Sequence, residues 1–262
     1  MFEEILGLFP ESRERRLRRI ERFAMFDVFF YRSNLWHHGM RVALIIQELT
    51  PLLHDHLPAC DTTKARILAL VHDDAEMITG DVQLGHKMHM SAEELQKVHD
   101  AEAAAIEVLS KEYPQSIAGY PYRALLVHAL ERDCLEAELL TYADKLDAYC
   151  ESLHEVLAGN ISALRAVFTY VRILGTFEQD HPNLAPLFSN KTALTDIGLR
   201  RHPLRVDRDL YAHLNTPHTE ESITQETDFM AYNAWRALVL KYMGHEGLVI
   251  LTKQKEFLRS PV

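Results

Sequence analysis

Histidine is followed directly by aspartate three times in the chain, at residues 54–55, 72–73 and 99–100. With 15 histidines and 38 acidic residues, such pairs also arise by chance, so their surroundings have to separate them. His72 and Asp73 follow the apolar run RILALV, whereas the other two pairs lie among polar residues. Polar groups placed in a core must be paired, hydrogen-bonded or coordinated. The sequence therefore singles out His72 and Asp73 as candidate metal ligands.

Further ligands have to come from other helices, because adjacent helix residues point about 100° apart. His38 lies on an apolar stripe at helical spacing and faces inward. The residues that share this stripe are Val42, Ile45, Ile46 and Leu49. Asp144 lies at the edge of a second stripe. A single inward histidine is more often a hydrogen-bonded core residue, and a single Asp144 more often an ion-pair or surface residue. The joint hypothesis is a metal site of His38, His72, Asp73 and Asp144, since it explains polar residues on three helices together.

The chemistry that such a site supports is hydrolysis. Two imidazoles and two carboxylates suit one divalent ion, Mn²⁺, Co²⁺, Fe²⁺, Zn²⁺ or Mg²⁺, better than a thiophilic one, and they do not choose among these. Four protein ligands on a six-coordinate ion leave positions for water and for a phosphate oxygen, as Lewis-acid hydrolysis requires.

The elements that must position these residues are helices, because apolar residues recur at helical spacing from about residue 12 to about residue 178. The predicted fold class is all-α. The predicted helices cover roughly 12–31, Asn34 to Pro51 or slightly beyond, Asp61–Thr63 to Gly80, Ser91 to Tyr113, Pro121 to Gly159 with a bend near Asp133, and 161–176. Beyond Pro182, the segment HPNLAPLFSN is loop-like, residues 226–243 again resemble a helix, and GLVILT fits either a strand or a buried coil.

Composition limits the classes of function. A formal charge of -10 argues against a nucleic-acid partner bound through its phosphates, though not against a small phosphorylated ligand. The basic run at residues 13–22 is expected to be a solvated helix face. The acidic amino end and the lack of a long apolar stretch argue against secretion and membrane spanning. Three unpatterned cysteines favour a reducing compartment, so we expect a cytoplasmic protein.

The assembled residues resemble the HD-domain metal-dependent phosphohydrolase superfamily, whose pattern is a His, a His-Asp pair and a distant Asp. His38, His72, Asp73 and Asp144 match that pattern in order. Within the superfamily the chain is most similar to the YfbR-type deoxyribonucleoside 5'-nucleotidases. The segments that carry this likeness are LVHDDAEMITGD at residues 70–81 and YADKLDAY at residues 142–149.

The resemblance also implies roles for other residues. Glu76 takes the place of the catalytic acid or base, and Asp81, at the end of the T-G-D turn, takes the catalytic-site position that holds the nucleotide. Arg22 takes the place of the arginine that grips the phosphate. Phe23 stands where that branch has a tryptophan, in the pair that grips the phosphate and the sugar. Lys87 matches a lysine that follows T-G-D and is an optional phosphate contact.

From these observations we predict an HD-domain helical bundle over residues 1–180 and a C-terminal extension of unknown role over 181–262. The expected function is hydrolysis of a nucleotide, in the first place a deoxynucleoside 5'-monophosphate. Two alternatives stay open: an HD-family hydrolase of a phosphodiester, nucleoside triphosphate or alarmone, and a metal-stabilised scaffold that binds a nucleotide or protein without turnover. A homodimer is expected by analogy only.

Overall fold

The structure, a computed structural model of the chain, describes residues 2–28, 33–157 and 160–190. Its α-helices are α1 (Phe2–Leu6), α2 (Glu11–Leu17), α3 (Leu35–His56), α4 (Thr62–Val71), α5 (Glu76–Thr79), α6 (Leu84–Lys87), α7 (Ala92–Glu112), α8 (Tyr122–Glu131), α9 (Leu135–Leu157) and α10 (Leu164–Asp180). Two 3₁₀ helices cover Ile161–Ala163 and Pro182–Asn190. Two short strands, β1 (Ser116–Ile117) and β2 (Tyr120–Pro121), pair antiparallel. The regular secondary structure of the described residues is otherwise helical, which confirms the predicted fold class.

The chain divides into two compact units. The first comprises Met1–Met25 and Arg32–Ala143, and the second comprises Phe26–Tyr31 and Asp144–Val262. The boundary falls within α9, between Ala143 and Asp144. The predicted division near residue 180 concerns a core and an extension, and it stays a prediction.

The starts of α3, α4 and α7 in the first unit follow local capping rules. The Asn34 side chain accepts a hydrogen bond from the His37 amide at 3.1 Å, which begins α3. Asp61 begins α4, and its Oδ1 accepts from the amides of Thr63 and Lys64, each at 3.0 Å. Ser91 and Glu94 form the predicted capping box of α7. These side chains satisfy amides that have no partner inside the helix, so the predicted starts are confirmed.

The core of the first unit is built around the contact of α3 with α4. The predicted stripe of α3, from His38 to Leu49, is buried, and Ile67 and Leu68 of α4 are fully enclosed. Gly39 makes the close approach of the two helices tolerable. A Cβ at this position would lie 3.3 Å from the Ala69 carbonyl oxygen, closer than most side chains come. The backbone of α3 therefore runs close to the end of α4, beside His38.

Several predicted elements are wrong. The helix expected over 12–31 ends at Leu17, because the next residues turn back towards the start of α3. There the Arg22 amide donates to the Ser33 carbonyl at 2.9 Å, and Phe23 has a φ of 52°, which no α-helix contains. The helix expected to reach Gly80 is interrupted after Val71. The expected loop HPNLAPLFSN is a 3₁₀ helix in which Leu184 and Leu187 are buried.

The second unit contains α10, which runs about four residues beyond the predicted end at residue 176. The ring of Phe177 stacks on His181 with centroids 4.1 Å apart, where the helix ends. The Asn160 side chain donates to the Asp27 carbonyl at 2.5 Å. The predicted helix at 226–243, the GLVILT segment and Gly159 lie outside the described residues. Among the described helices, none is long and apolar enough to cross a membrane.

Candidate metal and phosphate site

The three His-Asp pairs differ in exposure as the sequence predicts. The side chains of His72 and Asp73 are 11% and 17% exposed. The corresponding values are 88% and 71% for the pair at 54–55, and 39% and 67% for the pair at 99–100. Only a group withdrawn from water needs a partner inside the protein. Burial therefore favours His72 and Asp73 as the functional pair.

These two residues lie in a tight turn that joins α4 to α5. The Asp74 amide donates to the Val71 carbonyl at 2.9 Å, and the Glu76 amide donates to the Asp73 carbonyl at 3.0 Å. Both bonds span three residues rather than four, as in a 3₁₀ helix. The spacing argument that placed Glu76 on one α-helical face with His72 and Asp73 is therefore wrong in its premise, although Glu76 still lies beside them.

His38 from α3 meets this turn. The rings of His38 and His72 lie edge to face with centroids 5.2 Å apart. The Oδ2 atom of Asp73 lies 3.7 Å from Nε2 of His38, and its Oδ1 atom lies 3.1 Å from Nε2 of His72. The first unit thus brings three of the predicted ligands to one point.

The hydrogen bonding of His72 fits a metal ligand. Its Nδ1 lies 2.8 Å from the Ala69 carbonyl oxygen, which can only accept, so Nδ1 carries the hydrogen. In the neutral ring Nε2 then presents a lone pair towards the Asp73 carboxylate. A backbone carbonyl that fixes the far nitrogen is the usual support of a metal-bound histidine. Two lone pairs facing each other require a proton or a cation between them.

Three buried acceptors at this place have no donor among the residues that the structure describes. Nε2 of His72, Oδ2 of Asp73 and Oε2 of Glu76 are enclosed and form no hydrogen bond with the described residues. Leaving such a group unsatisfied costs roughly 1–3 kcal/mol, and more when it is charged. A divalent cation would satisfy acceptors of these types. The side chains at this site therefore fit a metal ion.

Two more carboxyl groups belong to the cluster. Burial raises the pKa of Glu76 well above its ordinary value, and the charges of Asp73 and Asp81 raise it further. Burial also raises the pKa of Asp81, which Arg22 opposes. Asp81 follows Gly80, whose φ of 78° ends α5. The predicted helix stop before Asp81 is thus confirmed. The carboxyl groups of Asp73, Glu76 and Asp81 together give the site an excess of negative charge.

The predicted phosphate-binding residues lie beside these carboxyl groups. The charges of Arg22 and Lys87 lower the pKa of both Glu76 and Asp81, so both cations act on the site. The Arg22 guanidinium carbon lies 5.9 Å from the centre of the Phe23 ring. Lys87 Nζ lies 3.4 Å from a carboxylate oxygen of Glu102 in α7. The roles of these residues in substrate binding stay predictions.

Asp144 belongs to the second unit. Its Oδ2 atom lies 2.6 Å from Nζ of Lys145, the next residue of α9, and its side chain is 18% exposed. Its role as a fourth metal ligand stays a prediction.

A second group of ligand-type side chains lies elsewhere in the first unit. His128, Asp133 and Cys134 have ligand atoms within 4.8 Å of one another. His128 Nδ1 lies 2.6 Å from Asp133, next to Arg132, whose φ of 54° ends α8. Lys64 Nζ is 3.5 Å from the Cys134 sulfur, and a cation already present there disfavours a metal ion. We attribute this group to closure of the helix end.

Sequence reasoning missed the buried residues that surround the His72–Ala75 turn. Arg13 belongs to the basic run that was expected to be a solvated helix face, yet it is 1% exposed and contacts Asp74. The expectation is therefore wrong for Arg13. A signal was present, because Leu17 follows at a spacing of four and shares its helix face.

Comparison with known proteins identifies the family. Residues 13–182 match the family model described as YfbR-like, 5'-deoxynucleotidase YfbR-like. The chain belongs to this family, and the predicted resemblance is confirmed.

Curated relatives carry the same description. A 5'-deoxynucleotidase of Pectobacterium atrosepticum is 30% identical over 132 residues, which are 49% of this chain and 63% of that protein. A 5'-deoxynucleotidase of Yersinia pestis is 30% identical over 139 residues, which are 51% of this chain and 67% of that protein. The matched part thus spans about two thirds of these relatives.

A crystal structure of a Pyrococcus horikoshii protein has a similar fold. It aligns with a TM-score of 0.55 and 23% identity, and the alignment covers 75% of this chain and 99% of the other. This likeness concerns the fold alone.

Proposed function

We propose that this chain is a metal-dependent 5'-nucleotidase that converts deoxynucleoside 5'-monophosphates to nucleosides and inorganic phosphate. The observation that carries the proposal is the group of buried acceptors at His72, Asp73 and Glu76 that have no donor among the described residues. It occurs in a chain of the YfbR-like family, two of whose curated members are described as 5'-deoxynucleotidases.

His38, His72 and Asp73 would hold one divalent ion, with Asp144 as the fourth ligand. The ion is one of Mn²⁺, Co²⁺, Mg²⁺, Fe²⁺ and Zn²⁺, because imidazole and carboxylate ligands accept all of these. When bound, it supplies Lewis acidity to a phosphate oxygen and lowers the pKa of water. It would also offset the repulsion among the three carboxyl groups of Asp73, Glu76 and Asp81.

The chain's own cations bind the phosphate. Arg22 can contact two phosphate oxygens at once with its planar guanidinium. Lys87 adds a second positive charge, and a phosphate would compete with Glu102 for it. Phe23 packs against the sugar, and Asp81 accepts a hydrogen bond from the nucleoside. These four residues orient the phosphorus towards the ligand cluster.

Glu76 transfers protons in the proposed reaction. As water adds to phosphorus, the bond from phosphorus to the 5'-oxygen breaks, and the leaving oxygen needs a proton. The buried Glu76 carboxyl lies beside the ligands and has an oxygen without a hydrogen-bond partner among the described residues. It takes the proton of the attacking water and delivers one to the 5'-oxygen.

The setting that we propose is the cytoplasm, with a nucleotide as the small partner and a homodimer as the assembly. Cys60, Cys134 and Cys150 form no disulfide, which supports a reducing compartment. The charge of -10 supports a small phosphorylated ligand over nucleic acid.

The test is phosphate release from a panel of deoxynucleoside and ribonucleoside monophosphates, each with Mn²⁺, Co²⁺ or Mg²⁺. We expect turnover of deoxynucleoside monophosphates only with added metal. Release from none of the monophosphates would reject the proposal. Products from a phosphodiester, a triphosphate or an alarmone would favour the alternative hydrolase.

Two variants and a control sharpen this test. Asp73→Ala removes a ligand and should abolish metal binding and turnover together. Glu76→Gln should keep the metal and lose most turnover, and metal and nucleotide binding without turnover in both wild type and Glu76→Gln would indicate a scaffold. Asp55→Ala alters an exposed His-Asp pair and should change neither property.

A further inference from the structure

Behind the His72–Ala75 turn lies a fully enclosed ion pair. Arg13 and Asp74 are each 1% exposed. Arg13 Nε lies 2.9 Å from Oδ2 of Asp74, and its Nη2 lies 2.7 Å from Oδ1. The Tyr122 hydroxyl, also buried, donates to Oδ2 at 2.7 Å. Asp74 is thus held from α2 and from α8 at once, and we name Arg13, Asp74 and Tyr122 the buried triad.

Arg13 also binds the other side of the turn. Its Nη2 donates to the Leu70 carbonyl at 2.6 Å. In a continuous α-helix that carbonyl would accept from the amide of Asp74, four residues on, but this amide bonds to Val71 instead. The guanidinium therefore satisfies a carbonyl that the tight turn releases. One side chain thus binds a residue in the last turn of α4 and a residue within the His72–Ala75 turn.

The surroundings of Arg13 restrict its movement. Its guanidinium carbon lies 4.3 Å from the centre of the Phe9 ring. The Phe9 ring in turn packs edge-on against Tyr113 and Tyr122, each with centroids 5.7 Å apart. An aromatic enclosure leaves the charged group few alternative positions.

Stability alone is a poor reason for such an arrangement. Removing two charges from water is costly, and apolar residues of similar size often stabilise a core as well or better. A buried ion pair is better explained where its directional bonds define a local geometry. Here the bonds end at Leu70 and Asp74, and the two metal-ligand candidates of the turn, His72 and Asp73, lie between them.

We infer that the buried triad is a positioning device that holds the His72–Asp73 backbone, so that His72 Nε2 and the Asp73 carboxylate meet the metal. The inference rests on the proposed function for the metal site, but not on the substrate. Side chains that support metal ligands typically change metal affinity by about 10- to 100-fold when they are replaced. The triad acts through the ligands and touches neither metal nor substrate.

The experiment compares Asp74→Asn and Tyr122→Phe with a matched control. The control is Glu136→Gln, which breaks a partly buried ion pair elsewhere in the first unit, where Lys64 Nζ lies 3.1 Å from Glu136. For each protein, Co²⁺ affinity is measured from its visible absorption without nucleotide, and the thermal midpoint of the apoprotein is measured alongside. The imidazole nitrogen shifts of His72 are recorded by NMR, also in the apoprotein.

We expect Asp74→Asn to weaken Co²⁺ binding by about 10- to 100-fold and to move the His72 shifts. Glu136→Gln should lower the midpoint and change Co²⁺ affinity by less than about 3-fold, because its pair lies at the start of α4. Tyr122→Phe keeps the ring, so it should fold even where Asp74→Asn does not, and it should fall between the two in affinity. Equal affinity changes in Tyr122→Phe and in the control, with unmoved His72 shifts, would overturn the inference.

The two proposals fail separately. Weakened Co²⁺ binding in a protein that hydrolyses no monophosphate would leave the positioning role intact and remove the proposed function. Unchanged Co²⁺ binding in the triad variants of a protein that does hydrolyse monophosphates would remove the positioning role and leave the proposed function intact.

Discussion

The two ends of α4 are held by different kinds of contact. At its start, Asp61 caps the helix through the amides of Thr63 and Lys64. Two distant residues add contacts there, because Glu136 pairs with Lys64 and the Tyr120 hydroxyl donates to Asp61. At its end, Arg13 holds the Leu70 carbonyl and the Asp74 carboxylate, from 57 and 61 residues away. The start is partly exposed and contains no proposed site residue, whereas the end is enclosed and leads into the proposed ligands His72 and Asp73. We therefore expect substitutions at the two ends to differ in how much they destabilise the protein and in whether they weaken metal binding.

The largest effect should follow from Arg13→Met. The substitution leaves the Asp74 carboxylate enclosed with Tyr122 as its remaining donor, and breaking a buried pair in this way typically costs about 3–5 kcal/mol. Urea denaturation measures this loss of stability as a decrease in the free energy of unfolding. A loss below about 1 kcal/mol would mean that water reaches Asp74 and that the end of α4 is held no more tightly than the start.

Replacing both partners sharpens the same point. In Arg13→Met with Asp74→Leu no charge is left buried, so we expect the double variant to be at least about 2 kcal/mol more stable than Arg13→Met alone. Co²⁺ affinity should nevertheless stay low, because the directional bonds to the turn are gone. Recovery of both stability and Co²⁺ affinity would show that apolar packing alone is enough to position the end of α4.

A second prediction concerns Gly39, which contacts the end of α4 from α3. In Gly39→Ala the new Cβ would lie 3.3 Å from the Ala69 carbonyl oxygen, so the backbone there must shift by a few tenths of an ångström. Overpacking of this kind costs about 1–3 kcal/mol, and the shift of His38 should weaken Co²⁺ binding as well. The control is Gly85→Ala, whose Cβ would meet only the flexible Met25 side chain at 3.5 Å. Equal results for both variants would refute the close-approach argument.

At the start of α4, Asp61→Ala should have a smaller effect. Loss of a helix cap costs about 0.5–2 kcal/mol. Because the proposed ligand pair lies at the other end of the helix, Co²⁺ affinity of the folded protein should not change. Urea denaturation and Co²⁺ titration on one preparation test both statements, and a loss of affinity would show that the two ends are coupled.

The comparison also separates what sequence reasoning can reach from what it cannot. Asn34, Asp61 and the Ser91 capping box were predictable because a cap and its helix are contiguous. The burial of His38 was predictable because helical periodicity places it beside Val42 and Ile46. The break after Val71 was not predictable, since a tertiary contact from Arg13 satisfies the released carbonyl and nothing in the local sequence reveals it.

The site residues likewise divide into those that a local sequence pattern indicates and those that depend on tertiary contacts. The candidates His72, Asp73, Glu76 and Asp81 were predicted from the motif at 70–81, whereas the geometry of the turn that carries them required the structure. The interior place of Arg13 was hidden because five other arginines crowd residues 13–22. Charge runs normally indicate solvated faces, and only the pairing of Arg13 with Leu17 on one face argued otherwise.

The smallest effect concerns the pH dependence of the ion pair at the start of α4. Burial by itself raises the pKa of Glu136, but hydrogen bonds from the Asp61 amide and from Lys64 outweigh it, so the pKa is lowered overall. A carboxyl group with a lowered pKa in the folded state stabilises the protein above its unfolded pKa, near 4.3. That contribution is lost as the pH falls through the folded pKa, because the unfolded chain takes up the proton more readily. The free energy of unfolding should therefore fall more steeply between about pH 5 and pH 3 in the wild type than in Glu136→Gln. Parallel curves would mean that Lys64 and the amide of Asp61 do not favour the ionised form, and the two ends of α4 would then differ in enclosure alone.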